Sequence, residues 1–365
     1  MLPQLLFASV LGCALAAPTS RQVSPLSRKS TCTNPLVRKA WHTLTPAEKK
    51  AYIDAELCLM NTPGNLGLRG AKSKYDEFQA VHVYQSEIAH GVGQFFPFHR
   101  LYLHAHELTL RSTCNYTGTQ PYWDETLDAG SFSTSSVLAD FGGDGLSTER
   151  CISPTASPFG NIVLSIGPGY RLSQHCIQRS VSDPSSLSAS PAFVADCLSK
   201  ETYLQFWACA EARPHSAGHG GVGAQMMNPV SSPGDPLFYL HHAFLDKIWA
   251  DWQAQEGKRE QRLKEIGGNN RPVAFNFTDG PRFPPPTGGE FPGGGVMPPM
   301  FGGPGFGEPG DLVRPADVPE PIVMGDNGGN TTTLNQVMQM YGIVPNQTIA
   351  EIMDIQGDVL CYEYE

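Results

Sequence analysis

The sequence predicts a mainly α-helical fold, a four-helix bundle with long loops that disulfides stabilise. The first observation is an apolar pattern at helical intervals in residues 73–89. The second is a pair of helix-start signals, at Pro97 and at Asp235. The third is the spacing of His215 and His219, about one helical turn, which places both rings on one face. Such helices can form a bundle whose interior holds a metal or ligand site.

The first two predicted helices lie in the N-terminal half of the chain. The first covers residues 73–89 and is followed by Gly91 and Gly93, which stop it. The second begins near Phe98, directly after a proline, and ends near Ser112.

The other two predicted helices lie in the second half. Asp235 is suited to the N-cap because its carboxylate can accept a backbone N–H, and Pro236 suits the first helical position. This helix is expected to end near Gln255. A further helix carries His215 and His219.

The N-terminal segment has the composition of a secretion signal. Residues 1–17 form an apolar run that ends in small residues, as cleaved signal peptides do. Residues 18–31 are then either a propeptide or an N-terminal arm, and Arg28-Lys29 is either a processing point or a solvated charge pair. No later run approaches the roughly 18 apolar residues that a membrane span requires, so no membrane anchor is expected.

Residues 32–365 are expected to form one domain, because no second core is evident. One segment departs from the rest in composition. Residues 281–310 contain nine Pro and ten Gly, a composition that cannot bury enough apolar surface to offset its ordering entropy. The sequence therefore predicts a surface loop there.

Cysteines and sequons indicate an oxidising, extracellular compartment. The eight cysteines beyond the signal segment form an even set, for which 105 disulfide pairings exist. Four N-glycosylation sequons begin at Asn115, Asn276, Asn330 and Asn346. With 25 basic against 35 acidic residues the chain has no cationic excess, which argues against nucleic acid as a partner.

The histidines point to a pair of metal ions. His82, His90 and His99 form one group of three. His215, His219 and the His241-His242 pair supply a second group. Imidazole suits Zn, Cu, Fe and Ni, but a di-iron bundle would draw on Glu and Glu-x-x-His ligands, which this set lacks. Copper is therefore the favoured metal.

At these residues the chain resembles the tyrosinase and polyphenol oxidase (catechol oxidase) family, in particular its short fungal members. The first copper stretch is residues 78–100, with eight residues between the second and third histidines. The second comprises residues 211–221 and 232–253. The similarity extends from about Cys32 to the end and leaves out the signal segment and the Gly/Pro-rich insertion.

This resemblance implies a type-3 dicopper centre with six histidine ligands in a catalytic domain of residues 32–365. By the family pattern the ligands of the two coppers are His82, His90 and His99, and His215, His219 and His242. The other histidines match no ligand position: His42, His104, His106, His175 and His241. His241 is expected to pack or to form a hydrogen bond beside the site.

The resemblance also gives meaning to residues near the ligands, one that matches a position with a role in relatives and others that differ from them. Glu211 stands where many relatives carry a glutamate that orients a water above copper. The alternative interpretation is that Glu211 is an ordinary solvated carboxylate at a helix end. Ser216 replaces the Asn of relatives that hydroxylate monophenols efficiently. Ile88 replaces the cysteine of relatives with a Cys-His thioether. The aliphatic segment Met226–Val230 replaces a bulky Phe, which predicts an open entrance.

Residues of the last long predicted helix are expected to support the site. Asp246 is either a hydrogen-bond partner of a ligand or, as we favour, half of an ion pair with Arg100. Phe238 is expected to pack beside the metals, and Trp249 and Trp252 to belong to the core.

The function predicted is a secreted copper enzyme that oxidises o-diphenols to o-quinones with dioxygen. The alternatives are a monophenol monooxygenase or an o-aminophenol oxidase with the same site. A haemocyanin-like oxygen carrier would use the same ligands, but such carriers cover the site with a domain that we do not expect in this chain. A structural zinc protein would be colourless and unreactive toward oxygen.

Overall fold

The computed structural model describes residues 32–146, 149–272, 309–325 and 329–365. The expected signal segment, the expected N-terminal arm and all but the end of the Gly/Pro-rich segment lie outside these residues. Within them, no helix combines the length and apolar character that a bilayer crossing needs.

Helices dominate the fold, as predicted. The α-helices are α1 Pro46–Asn61, α2 Lys74–Gln85, α3 Phe95–Cys114, α4 Ser136–Asp140, α5 Asp183–Ser186, α6 Pro191–Leu198, α7 Tyr203–Ala210, α8 Ser216–Val222, α9 Leu237–Ala254, α10 Arg259–Arg262 and α11 Ile349–Ile352. Short 3-10 turns span Trp41–Thr43, Ser86–Ile88, Glu125–Leu127, Phe132–Thr134, Leu187–Ala189, Ala224–Met227, Ser232–Gly234 and Pro309–Leu312. A π-helical turn, Glu211–His215, joins α7 to α8.

The strands are short, with two or three residues each. They are β1 Leu36–Arg38, β2 Val337–Met338, β3 Gln347–Thr348 and β4 Tyr362–Tyr364. β1 pairs with β4 in parallel, Leu36 opposite Tyr362, and β2 pairs with β3 antiparallel. The β1–β4 pair brings the two ends of the described chain together.

The predicted start of the first helix is confirmed, whereas that of the second is wrong by three residues. α2 begins as predicted, because the Ser73 hydroxyl accepts the Asp76 N–H and the Asp76 carboxylate accepts the Ser73 N–H. α3 begins at Phe95, three residues before the predicted start at Phe98. Pro97 is tolerated inside its first turn because N–H groups there have no partner within the helix.

The other two predicted helices are close to expectation. α9 begins at Leu237, whose N–H donates to the Asp235 carboxylate at 3.0 Å, and it ends at Ala254. The predicted helix that carries His215 and His219 is not continuous, because a π-helical turn precedes α8. His215 ends the π-helical turn and His219 lies in α8, yet their rings remain adjacent, with centroids 4.5 Å apart.

The core lies between α3 and α9, and rings of α2 and α8 pack against these two helices. Trp249 and Trp252 are fully buried in it, as predicted. The predicted ion pair is present, with Arg100 Nε donating to Asp246 Oδ1 at 2.6 Å. It lies on the side of α9 that faces the C-terminal strand.

Disulfides account for all eight cysteines of the described chain and bear out the prediction of a disulfide-stabilised fold. The pairs are Cys32–Cys361, Cys58–Cys114, Cys151–Cys176 and Cys197–Cys209. The first pair lies beside the β1–β4 ladder and joins residues that are 329 positions apart.

Candidate metal centre

The first histidine group consists of His82 on α2, His90 in the loop after it, and His99 on α3. One ring nitrogen of each lies within 4.8 Å of the others. The ring centroids of His82 and His99 are 5.2 and 5.3 Å from that of His90. The three residues that the sequence grouped are therefore brought together.

Backbone carbonyls fix the orientation of these three rings. Each Nδ1–H donates to a carbonyl: His82 to Val230 at 2.9 Å, His90 to Ser86 at 3.1 Å and His99 to Phe95 at 2.8 Å. Such a bond places the lone pair on Nε2, where a metal can use it. The Nε2 atoms of His82 and His99 are buried and have no hydrogen-bond partner among the described residues.

The second histidine group consists of four residues, His215, His219, His241 and His242, with ring nitrogens within 4.8 Å of one another. His215 Nδ1 donates to the Glu211 carbonyl at 3.2 Å. His219 Nδ1 donates to the Met226 carbonyl at 2.5 Å. The Nε2 atoms of His219 and His242 are 3.3 Å apart, so they point to a common position.

The two groups face each other across the bundle. The rings of His99 and His242 stack with centroids 4.1 Å apart and an interplanar angle of 11°. His90 and His215 face each other at 6.1 Å. This juxtaposition suits two metal ions close enough to share one small molecule.

The donor set fits copper. Burial lowers the pKa of every histidine in both groups, that of His90 to about 4, so that the rings are neutral and carry free lone pairs. Neutral imidazoles in two clusters are a ligand set for copper rather than for a hard, oxygen-preferring cation. The remaining histidines, His42, His104, His106 and His175, lie outside both groups.

His241 has a partner that the sequence did not reveal. Its Nδ1 lies 2.6 Å from Oε1 of Glu125, which is fully buried. Burial raises the pKa of Glu125 well above its ordinary value and lowers that of His241 to about 3, so burial disfavours the charged form of both groups. Glu125 lies 116 positions away along the chain, and no spacing rule connects such residues.

Glu211 lies beside both groups and is not a solvated helix-end carboxylate, because only 2% of it is exposed. Its Oε1 accepts the Gly91 N–H at 2.7 Å and its Oε2 accepts the Trp207 indole N–H at 2.5 Å. Burial raises its pKa to about 8. The Ser216 hydroxyl donates to the Glu211 backbone carbonyl at 3.1 Å rather than to the carboxylate.

The apolar neighbours of the histidines occupy the expected positions. The Phe238 ring lies 4.1 Å from that of His242 and 5.3 Å from that of His82, as predicted. Met226 and Val230 are buried, and their carbonyls hold His219 and His82. The backbone of this aliphatic segment therefore orients histidines of both groups.

Comparison with known proteins agrees with this geometry. Residues 72–255, half of the chain, match the family described as the common central domain of tyrosinase. The chain belongs to the tyrosinase family. The match includes all seven clustered histidines.

The chain is similar to several fungal proteins of known name. The chain is 32% identical to tyrosinase ustQ of Aspergillus flavus, over 91% of this chain and 80% of that protein. It is 29% identical to the tyrosinase-like protein phomQ1 of Diaporthe leptostromiformis, over 98% and 84%. Its fold is similar to that of a polyphenol oxidase mutant from Thermothelomyces thermophila, with a TM-score of 0.68, 22% identity and coverage of 91% and 89%.

Membership of the family establishes the class of enzyme. This tyrosinase-family protein is an oxidoreductase that uses dioxygen at a type-3 dicopper centre and acts on phenolic compounds.

Proposed function

We propose that this enzyme is a secreted polyphenol oxidase that converts o-diphenols to o-quinones. Each turnover oxidises two diphenols and reduces one dioxygen to two waters. The observation that supports this best is the pair of facing histidine groups, stacked through His99 and His242. The proposed ligands of copper A are His82, His90 and His99, and those of copper B are His215, His219 and His242.

When bound, the two coppers would transfer two electrons from each of the two diphenols to dioxygen, and the chain supplies the surroundings. The Nδ1–H bonds to backbone carbonyls keep five of the six proposed ligand rings in place and in one tautomer. His82, His99 and His242 are each at most 3% exposed, whereas His90 and His215 are partly exposed, so these rings would shield the coppers from bulk water only in part. Phe238 lies against the rings and keeps this volume apolar.

The diphenol preference follows from the surroundings of Glu211. A phenol has a pKa near ~10 and must lose its proton before it can be hydroxylated, whereas a catechol is more acidic once it touches copper. Protein N–H groups already engage both carboxylate oxygens of Glu211, and Ser216 is bonded to a carbonyl. The Ser216 hydroxyl is therefore not arranged to hold, together with the Glu211 carboxylate, a water that would accept this proton. Monophenol hydroxylation and o-aminophenol oxidation are the alternative activities.

Secretion is proposed on two grounds. All eight cysteines of the described chain form disulfides, which persist in oxidising compartments. Residues 1–17 have the composition of a signal peptide. Residues 18–31 are then a propeptide or arm, and residues 32–365 the catalytic domain with its Gly/Pro-rich loop at 281–310.

The direct test is steady-state oxidation by the copper-loaded protein, followed by oxygen uptake and quinone absorbance. We expect rapid oxidation of 4-methylcatechol and much slower hydroxylation of tyrosol, with no activity in a zinc-loaded control. Equal rates on the two substrates would favour the monophenol monooxygenase. Oxygen binding without turnover of either would favour a carrier.

Replacing Ser216 by asparagine is expected to raise the tyrosol rate relative to the 4-methylcatechol rate by roughly two- to tenfold. The longer amide can reach a water that the Ser216 hydroxyl does not hold, and one such hydrogen bond is worth about 0.5–1.5 kcal/mol. Ser216→Ala, which removes the hydroxyl without adding an amide, is the control and should not raise the ratio. If wild type and Ser216→Asn have the same ratio, this position does not control the preference.

A further inference from the structure

The buried carboxyl group of Glu125 lies behind the second histidine group. Its hydrogen-bond partner is His241, which is not one of the proposed ligands. Glu125 is fully buried, its Oε1 is 2.6 Å from His241 Nδ1, and its Oε2 has no hydrogen-bond partner in the described parts of the chain. Burying a carboxyl group with so few partners costs free energy, so the arrangement calls for a role.

His241 connects this carboxylate to the proposed ligands of copper B. Its ring centroid lies 4.7 Å from that of His219, 5.8 Å from that of His215 and 5.0 Å from that of His242. It therefore packs against all three rings at once. A change in the angle of the His241 ring would displace the ligands.

Gly218 provides the space for this pair. A Cβ atom at Gly218 would lie 2.1 Å from His241 Nδ1 and 2.7 Å from Glu125 Oε1, both far inside contact distance. Glycine in a helix is less stable than alanine by roughly 0.5–1 kcal/mol. Since Gly218 lies within α8 and needs no positive φ, the space it leaves is the reason for it.

The segment that carries Glu125 is fastened to α9, the helix of His241. The Trp123 N–H donates to the Leu240 carbonyl at 3.1 Å. The Asp124 side chain then accepts the Thr126 N–H at 3.2 Å and starts the 3-10 turn of Glu125–Leu127. Glu125 is thus held in a fixed position relative to His241.

We propose that Glu125 and His241 form a positioning pair for copper B. In this role His241 is not a ligand; it supports the rings of His215, His219 and His242, and Glu125 fixes its orientation. The inference rests on the ligand assignment of the proposed function. Partners that orient metal ligands typically change metal affinity about 10- to 100-fold when they are removed.

The test measures copper per chain by atomic absorption after dialysis against increasing EDTA, without substrate. Glu125→Leu keeps the volume but removes the hydrogen bond, and should release one of the two coppers at roughly 10- to 100-fold lower EDTA than wild type. Glu125→Gln retains a hydrogen-bonding amide and should stay within about threefold of wild type. Leu127→Ala, in the same turn but with an exposed side chain, is the matched control and should behave as wild type.

Gly218→Ala provides an independent test. Its methyl group would displace His241, so it should release the same single copper as Glu125→Leu, and alanine favours the helix, so the variant should fold. The inference is wrong if both variants keep the second copper as wild type does, or if Glu125→Leu loses both coppers together. His219→Ala should bind only one copper. If it binds two, the ligand assignment of the proposed function is wrong, whatever the Glu125 variants show.

Discussion

Replacing His242 by alanine is expected to abolish quinone formation, with a loss of at least about three orders of magnitude in rate, as for other residues essential to a catalytic unit. His242 Nε2 lies 3.3 Å from His219 Nε2. The His242 ring stacks on the His99 ring, with centroids 4.1 Å apart. Its removal leaves copper B with two of its three proposed ligands. Oxygen uptake with 4-methylcatechol and copper content measure the effect.

The control is His104→Ala, since His104 is also buried and lies on α3, further along the helix than His99, but outside both groups. It should retain two coppers and nearly the full rate. Circular dichroism should show the same helix content for both variants, because four disulfides hold the fold. If the His242 variant kept full activity, the ligand would be its neighbour His241, and the positioning role of that residue would be wrong as well.

Local sequence patterns predicted the helices and the histidine groups because their physical causes are local. The cap at Ser73 and the spacing of His215 and His219 depend on neighbours within one turn. The sequence predicts the start of α3 at Phe98, three residues too late, because a proline usually marks a helix boundary. A proline in the third position of a helix breaks no hydrogen bond, so α3 can begin before Pro97.

Contacts between distant segments could not be predicted in this way. Among 105 disulfide pairings, the bond between Cys32 and Cys361 follows only from the pairing of β1 with β4. The contact of Glu125 with His241 and that of the Glu211 carboxylate with the Gly91 N–H depend on how separate segments pack around the site. A glycine at position 218 was visible in the sequence, but the groups that need its space were not.

The network around Asp246 explains why the ion pair with Arg100 is structural. Asp246 Oδ1 accepts Arg100 Nε at 2.6 Å, and its Oδ2 accepts the hydroxyls of Tyr362 and Tyr364 at 2.5 and 2.6 Å. Arg38 lies 3.5 Å away. Burial alone would raise the pKa of Asp246, but Arg100, Arg38 and the hydrogen bonds from the two tyrosines together hold that pKa below the ordinary value of 3.8. The carboxylate thus joins α3, α9 and both terminal strands.

Asp246→Asn is expected to lower the free energy of unfolding by about 3–5 kcal/mol, because it leaves a buried guanidinium without its counter-charge. Urea unfolding at pH 7 with the disulfides intact measures this. Asp251→Asn on the same helix is the matched control; its pair with Lys247 is exposed and should contribute less than about 1 kcal/mol.

Because the folded pKa of Asp246 is lowered, its contribution is complete above the unfolded value of 3.8 and is lost as the pH falls below it. The difference between wild type and Asp246→Asn should therefore shrink in acid, and a loss no larger than that of Asp251→Asn at pH 7 would contradict the structural role of the network.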